Sequence, residues 1–185
     1  MIETARLILR GWHEADKLAF LAMGNDPEVM RYLGPALSAA DVDAAVARQN
    51  GFLERVGYCF WAVERRADGA FLGFCGLKPG AEGTPIAADV EVGWRFARAH
   101  WGQGYAREAA QASLDWGWEA LDVAQIAAIT TIDNVRSWGL MERLGMRRSW
   151  HEDFDHPTAI DRLKAHITYR IARPECATGA GLNQQ

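Results

Sequence analysis

The chain is long and apolar enough to bury a sizeable core, and its charge disfavours nucleic acid as a partner. It has 185 residues, of which 49% are hydrophobic, with a formal net charge of −4 and a pI near 5.7. Nucleic-acid binding depends on clustered Lys and Arg, which this balance does not supply. No stretch approaches the roughly twenty apolar residues that span a bilayer, and no signal-peptide pattern is present, so we expect a cytoplasmic protein without a membrane partner.

The first part of the chain predicts one strand, two helices and a strand pair. Residues 5–10 alternate as a short strand, and residues 14–23 place apolar side chains on one helical face before a stop and turn signal at residues 24–27. Ser38 is placed to cap a second helix that has Asp41 in its first turn.

From Tyr58 the period changes to that of strands. Residues 58–63 and 71–77 predict two strands joined by a turn at Asp68-Gly69, followed by a Gly- and Pro-containing loop over residues 78–85. Cys59 and Cys75 lie in these apolar runs, and neither they nor Cys176 show metal or disulfide-framework spacing. We therefore expect buried free thiols and a reducing compartment.

A strand over residues 90–96 leads through a glycine-punctuated loop into a helix that begins at Tyr105. The first N–H groups of a helix lack intrahelical partners, and glycine lets a ligand approach the backbone, so the loop predicts an anion site. Gly102 and Gly104 are also compatible with a tight turn alone. The loop lacks the third glycine of a dinucleotide site and the Gly-Lys-Ser/Thr of a P-loop.

The last part predicts a strand over residues 126–132, a helix over 134–144 and strand-like runs over 146–154 and 166–172. The element order is βααβββαβαββ, without repeats. We expect a single domain over residues 1–173 and a flexible tail over 174–185. The segment from His151 to His156 matches no metal-ligand spacing, so we interpret it as a strand end and a polar turn.

Three motifs together resemble the GNAT (Gcn5-related) N-acetyltransferases, especially the branch that acetylates ribosomal-protein N-termini. They cover residues 3–10, residues 100–109, and residues 134–137 followed by 142–146. The resemblance implies an α/β (α+β) fold in which a mixed sheet of six to seven strands is flanked by about four helices and contains a V-shaped split. It implies acetyl-CoA as cosubstrate, no metal, and an amine acceptor that enters from the opposite face. A homodimer is among the assemblies it allows.

The resemblance also assigns residues to acetyl-CoA. The family signature Q/R-x-x-G-x-G/A falls on the six residues that bind pyrophosphate through backbone N–H groups: Trp101, Gly102, Gln103, Gly104, Tyr105 and Ala106. Trp101 departs from the pattern because it carries no charge. The preceding strand end holds the pantetheine arm through backbone contacts of Trp94, Arg95 and Phe96.

Catalytic residues follow from the same resemblance. Asn134 corresponds to a residue that hydrogen-bonds pantetheine or positions a water, although Asn also favours a helix N-cap. Ser137 corresponds to the serine that protonates the CoA thiolate; the tyrosine used by other members is replaced by Met141. A capping or solvated serine is the alternative.

Glu91 is the candidate base, because carboxylates on this strand accept the amine proton in the family; otherwise it is an ordinary strand side chain. The acidic segment at residues 152–155 is a candidate mouth for a cationic acceptor. Direct transfer to a protein N-terminal α-amine is expected, with a small amine such as a polyamine or antibiotic as the alternative acceptor. A non-catalytic acyl-CoA sensor is the alternative from another functional class.

Overall fold

Nine strands form one mixed sheet in the structure, a computed structural model that describes residues 1–175. The strands are β1 (Ile2–Glu3), β2 (Leu7–Arg10), β3 (Phe60–Arg65), β4 (Phe71–Pro79), β5 (Val90–Phe96), β6 (Gln125–Thr131), β7 (Arg147–Arg148), β8 (Phe154–Asp155) and β9 (Ala165–Ala172). Their order is β1-β2-β3-β4-β5-β6-β9-β7, and β8 also pairs with β9. Only β5 and β6 are parallel neighbours within this described sheet.

Helices cover both faces of the sheet. They are α1 (Asp16–Gly24), α2 (Pro27–Met30), α3 (Ala39–Val56), α4 (Tyr105–Ala120) and α5 (Val135–Arg143). Leu114 of α4 and Leu140 of α5 belong to the larger core, whereas Phe20 of α1 and Val46 of α3 pack around Trp12 on the other face. This confirms the predicted α/β architecture. The structure has more elements than were predicted. Four of them are only two to four residues long, which is too short for a periodic pattern: β1, β7, β8 and α2.

The second predicted helix begins where its cap was expected. Ser38 Oγ accepts a hydrogen bond from the Asp41 N–H at 3.2 Å, and Asp41 Oδ2 accepts one from the Ser38 N–H at 2.8 Å. This reciprocal arrangement is a capping box. α3 ends at Gly57, whose φ of +83° is the left-handed conformation that glycine adopts without strain.

One predicted strand, over residues 146–154, is wrong as a continuous element. Only its ends pair with β9, and Trp150–Glu152 form a 3₁₀ turn between them. The Ser149 N–H donates to the carbonyl of Thr168, but the Thr168 hydroxyl then donates to the Glu152 carbonyl, each at 2.9 Å. A side chain therefore replaces the next ladder bond, and the segment leaves the sheet before returning as β8.

Three boundaries also differ from the prediction. The first strand begins at Leu7 instead of residue 5, and β4 extends through Pro79 into the predicted loop. The predicted turn at residues 24–27 runs directly into the short helix α2, since Asp26 Oδ1 accepts from the Glu28 N–H at 2.9 Å and Pro27 occupies the first helical position. Extension of β4 matters most, because it places Lys78 on a strand.

Cys59 and Cys75 are buried and free, as expected, and burial raises the pKa of each thiol to about 12. Cys176 and the predicted tail beyond residue 175 lie outside the described residues. Within residues 1–175 no helix has the length and apolar character needed to cross a bilayer.

A buried ion-pair network ties α1 to the sheet. Asp16, which is 4% exposed, accepts from both terminal guanidinium nitrogens of Arg10 at 2.8 and 2.9 Å and from the His13 N–H at 2.8 Å. Arg10 also pairs with Glu64 on β3 at 2.8 Å. Burial alone would raise the pKa of the Asp16 carboxyl, but the hydrogen bonds from Arg10 and His13 outweigh it and lower the pKa.

We expect Asp16→Asn to lower the free energy of unfolding at pH 7 by about 3 kcal/mol, because it leaves Arg10 buried without a full counter-charge. A carboxyl whose pKa is lowered by folding stabilises the protein above its unfolded pKa and loses that contribution as the pH falls. The difference from the wild type should therefore shrink below about pH 4. Urea unfolding at several pH values measures it, with exposed Asp122→Asn as control. A difference that stays constant across pH would contradict this role of Asp16.

Candidate active site

The two parallel strands β5 and β6 separate along their length. They pair only at Val90 with Ile126 and at Glu91 with Ala127, although β5 continues for five residues and β6 for four. β5 remains paired with β4, and β6 with β9, over that whole length. The facing inner edges therefore present backbone N–H and C=O groups to a cleft, and this is the predicted V-shaped split.

The loop at the end of β5, residues 97–104, is called the anion loop here because it has the backbone geometry of an anion site. Gly102 and Gly104 have φ values of +73° and +80°, and Gly104 caps α4 without a side chain. The N–H groups of residues 102–107, which include Gln103, Tyr105 and Ala106, have no hydrogen-bond acceptor in the part of the chain that the structure describes. Free N–H groups at the positive end of a helix favour a bound anion.

The segment around Arg6 braces this loop, a contact that sequence patterns did not predict. Arg6 Nη1 donates to the Gln103 carbonyl at 3.0 Å, and Arg6 Nε donates to Glu108 Oε2 at 2.6 Å. Thr4 Oγ1 donates to the other oxygen of Glu108 at 2.6 Å. Burial opposes ionisation of Glu108, but these bonds outweigh it and lower the pKa of its carboxyl. Arg6 thus neutralises the carboxylate of Glu108 in the first turn of α4.

Trp101 holds the loop between the two walls of the cleft. Its Nε1 donates to the Phe96 carbonyl at 2.8 Å, and the Arg136 guanidinium carbon lies 4.9 Å from its ring centre. Trp94 and Phe96 direct their side chains into the core that α4 covers. Trp101 therefore braces the loop instead of supplying charge to it.

Asn134 and Ser137 lie at the start of α5, on the β6 side of the cleft. Asn134 Oδ1 accepts from the Ser137 N–H at 3.4 Å, while its Nδ2 donates to Thr130 Oγ1 at 3.2 Å. The Asn134 amide is therefore engaged in capping. The half-buried Ser137 hydroxyl makes no hydrogen bond with any residue from 1 to 175, so it is free to contact a ligand.

Glu91 lies on the sheet face opposite α4, because its neighbours Val90 and Val92 pack in the α4 core. Its side chain is 11% exposed and forms an ion pair with Lys78, its partner across the β4–β5 ladder. Burial raises the pKa of Glu91, and the positive charge of Lys78 opposes that rise. Sequence reasoning missed this pair because it assigned Lys78 to a loop; the strand register supplies the missing information.

Arg95 shares this face, four residues beyond Glu91. Its guanidinium carbon lies 5.3 Å from the Phe74 ring centre, and Nη1 lies 3.7 Å from Met30 Sδ. The family resemblance implies backbone contacts for Arg95 and gives its side chain no role. In the structure that side chain packs against Phe74 and against Met30 of α2.

The acidic segment contributes less free charge than its composition predicted. Glu152 pairs with Arg170 at 2.7 Å, and Asp153 pairs with Arg148 at 2.6 Å. Only Asp155 of the three carboxylates is left without an ion pair among residues 1–175. That same part of the chain has no group of three His, Cys, Asp or Glu side chains arranged to hold a metal ion.

Known proteins share this fold. A crystal structure of a GNAT-family acetyltransferase from Bacillus anthracis has a TM-score of 0.76 at 24% identity, covering 93% of this chain and 98% of that one. Spermidine N-acetyltransferase from Vibrio cholerae, solved with CoA and spermine, has a TM-score of 0.71 at 19% identity, covering 92% and 97%. RimL, a ribosomal L7/L12 α-N-protein acetyltransferase solved with coenzyme A, has a TM-score of 0.72 at 15% identity, covering 91% and 95%. At these identities the likeness shows the fold alone.

Sequence comparison extends beyond the fold. YkkB from Bacillus subtilis (strain 168) is 31% identical over 169 residues, which cover 88% of this chain and 95% of YkkB. The family model described as an acetyltransferase (GNAT) domain matches residues 6–147. That match spans most of the chain, including β5, the anion loop and α5, and from it we conclude that the chain belongs to the GNAT family of acetyltransferases.

Proposed function

We propose that this protein transfers the acetyl group of acetyl-CoA directly to a primary amine. The proposal rests on one observation. The inner edges of β5 and β6 separate, and β5 then leads directly to the free N–H groups of residues 102–107. An extended arm with amide groups can form hydrogen bonds with the strand edges, and a pyrophosphate can accept hydrogen bonds from the free N–H groups. The backbone geometry therefore fits CoA at both places.

The donor is assigned to the α4 side of the cleft. In this arrangement the pyrophosphate binds at residues 102–107, and the pantetheine arm runs along the backbone of Trp94, Arg95 and Phe96. Asn134 keeps α5 in position, which directs the free Ser137 hydroxyl towards the thioester end of the arm. Acetyl-CoA supplies the activated acetyl group.

The reaction combines one bond exchange at the thioester carbon with two proton transfers. The amine nitrogen attacks the thioester carbonyl, a C–N bond forms, and the C–S bond breaks. Glu91 accepts the ammonium proton, directly or through a water, and the neighbouring charge of Lys78 favours the ionised carboxylate that this role needs. Ser137 donates a proton to the leaving thiolate sulfur and is reprotonated by solvent.

Two acceptor classes and one non-enzymatic function follow from the family. The acceptor is a protein N-terminal α-amine or a small amine; the alternative to catalysis is an acyl-CoA sensor. Release of free thiol from acetyl-CoA, followed with N-terminal peptides, polyamines, aminoglycosides and amino acids, separates them. Thiol release with at least one amine supports the enzyme, whereas acetyl-CoA binding without release from any amine supports the sensor.

We expect acetyl-CoA at about a hundred times its Kd to stabilise the protein by roughly 2.7 kcal/mol in a thermal-shift assay. Gly102→Ala should reduce this stabilisation, because its Cβ obstructs close approach of the pyrophosphate. Gly69→Ala is a matched control, since the two glycines have φ values of +73° and +71° and a methyl group added at either would meet no atom within 4 Å. Both should lose about 1 kcal/mol of intrinsic stability. Equal stabilisation of the two variants by acetyl-CoA would exclude pyrophosphate binding at residues 102–107.

We expect Glu91→Gln to reduce kcat on the order of a hundredfold, the effect of losing a general base. Because the base must be ionised, kcat of the wild type should fall as the pH drops through the raised pKa of Glu91, and this acidic limb should disappear in the variant. Glu119→Gln, at an exposed position of α4, is the control. Unchanged kcat and an unchanged pH profile would remove Glu91 from the mechanism.

We expect Ser137→Ala to lower kcat by up to about a hundredfold while the KM for acetyl-CoA changes little, because the hydroxyl acts on the leaving thiolate. Steady-state thiol release at saturating amine measures both constants. A rise in KM at constant kcat would make Ser137 a binding residue and not the acid.

A further inference from the structure

The guanidinium of Arg95 has no counter-charge within the described chain. Seven Lys and Arg side chains in residues 1–175 are half-buried, and all except Arg95 lie within 4.0 Å of a carboxylate. The six paired cations are Arg10, Lys17, Arg65, Lys78, Arg148 and Arg170. The Arg95 guanidinium is therefore a positive charge that remains available to a ligand.

Hydrogen bonding at Arg95 is also incomplete. Nε is inaccessible to solvent and has no acceptor, and Nη1 has only the weak thioether acceptor of Met30. Burial lowers the pKa of Arg95 to about 10, so the group is still protonated at neutral pH. A buried, unpaired guanidinium is unfavourable unless a ligand completes it.

A second unpartnered group lies across the cleft. β5 and β6 pair with an offset of 36 residues, Val90 with Ile126, and the same offset sets Arg95 against Thr131 where the strands have separated. Alternation places both side chains on the face of Glu91 and Ala127. Thr131 is 3% exposed, and its Oγ1 is buried without a hydrogen-bond partner. Arg95 and Thr131 thus occupy matching register positions on the two strands that border the cleft, and both have a buried polar atom without a hydrogen-bond partner.

We propose that the acceptor of this enzyme is a small amine that carries a carboxylate, which Arg95 binds in bidentate fashion and the Thr131 hydroxyl contacts. The assignment rests on the proposed acetyl transfer. Guanidinium and carboxylate have matching planar geometry, and charge-assisted pairs of this kind are among the strongest hydrogen bonds in proteins.

The distance along β5 limits the size of this acceptor. Four residues of strand separate the Cα atoms of Glu91 and Arg95 by about 13 Å, and both side chains extend from the same face. Their charged ends can therefore approach an amine and a carboxylate that only a few bonds connect, as in an amino acid. Polyamines lack the anionic group, and the positive charge of Arg95 repels them.

The test compares acceptors that differ only in the carboxylate. Thiol release would be measured with α-amino acids, their α-amides and the corresponding decarboxylated amines, with spermidine and N-terminal peptides as further acceptors. We expect kcat/KM to be about 10- to 100-fold higher for the preferred acid than for its amide, as for a hydrogen-bonded ion pair. Equal values for acid and amide, or a preference for spermidine or for peptides without acidic side chains, would overturn the proposal.

Two variants assign the effect to the cleft. Arg95→Met should reduce the acid-to-amide ratio to near one, with the loss in the KM for the acid, and Thr131→Val should reduce the ratio by about threefold to tenfold. Arg48→Met, an exposed arginine on α3, should leave the ratio as in the wild type. If Arg95→Met lowers rates for acid and amide equally, or fails to fold while Thr131→Val leaves the ratio unchanged, Arg95 has a structural role only.

A binding measurement separates this proposal from the proposed catalysis. With CoA present, N-acetylamino acids and their amides would be compared in thermal-shift titrations of the wild type and Arg95→Met. Absence of thiol release together with carboxylate-selective stabilisation that Arg95→Met abolishes would refute the transferase and retain the carboxylate site. Thiol release from amines without any selectivity for the carboxylate, in rate or in binding, would refute the carboxylate site and retain the transferase.

Discussion

The cleft depends on two parallel strands that stop pairing while the ladders on either side of them continue. After Glu91 and Ala127, the inner edges of β5 and β6 face each other without hydrogen bonds, yet β4 and β9 hold each strand in the sheet. Buried backbone N–H and C=O groups need partners, so this gap is a place for an extended ligand to complete the sheet. The anion loop lies at the end of this gap, and α5 lies beside it. Glu91 and Arg95 lie on the sheet face opposite α4.

Ion pairing within the fold explains why the charge of a sequence segment is a poor guide to the acceptor. The acidic segment at residues 152–155 predicted a cationic acceptor. In the structure Arg170 neutralises Glu152, Arg6 neutralises Glu108, and Lys78 pairs with Glu91. Because these carboxylates are neutralised by neighbouring cations, they do not attract a cationic acceptor. Among the described residues of β5 and β6, the cation without an ion pair is Arg95, which supports the proposed acceptor with a carboxylate.

The sequence was sufficient where local patterns decide the structure. The Ser38 cap, the strand over residues 90–96 and the glycines at 102 and 104 all depend on neighbours within a few residues. It was insufficient where distant segments decide. Thr168 diverts the chain at Trp150, and the register of β4 on β5 brings Lys78 to Glu91. The Arg95 side chain was overlooked for the same reason, because its lack of a partner is a property of the whole surrounding fold.

The contacts of Thr4 and Arg6 with the anion loop have a consequence for how this site is acquired. They join residues 97 to 104 positions apart in sequence, so the loop is braced only after the first strands have closed a very long segment of chain. Such contacts form at the cost of loop-closure entropy and tend to slow folding. By thermodynamic linkage, a ligand that favours the braced loop also favours docking of the N-terminal segment. Binding of such a ligand and docking of the N-terminal strands onto the sheet are therefore coupled, although they involve different parts of the chain.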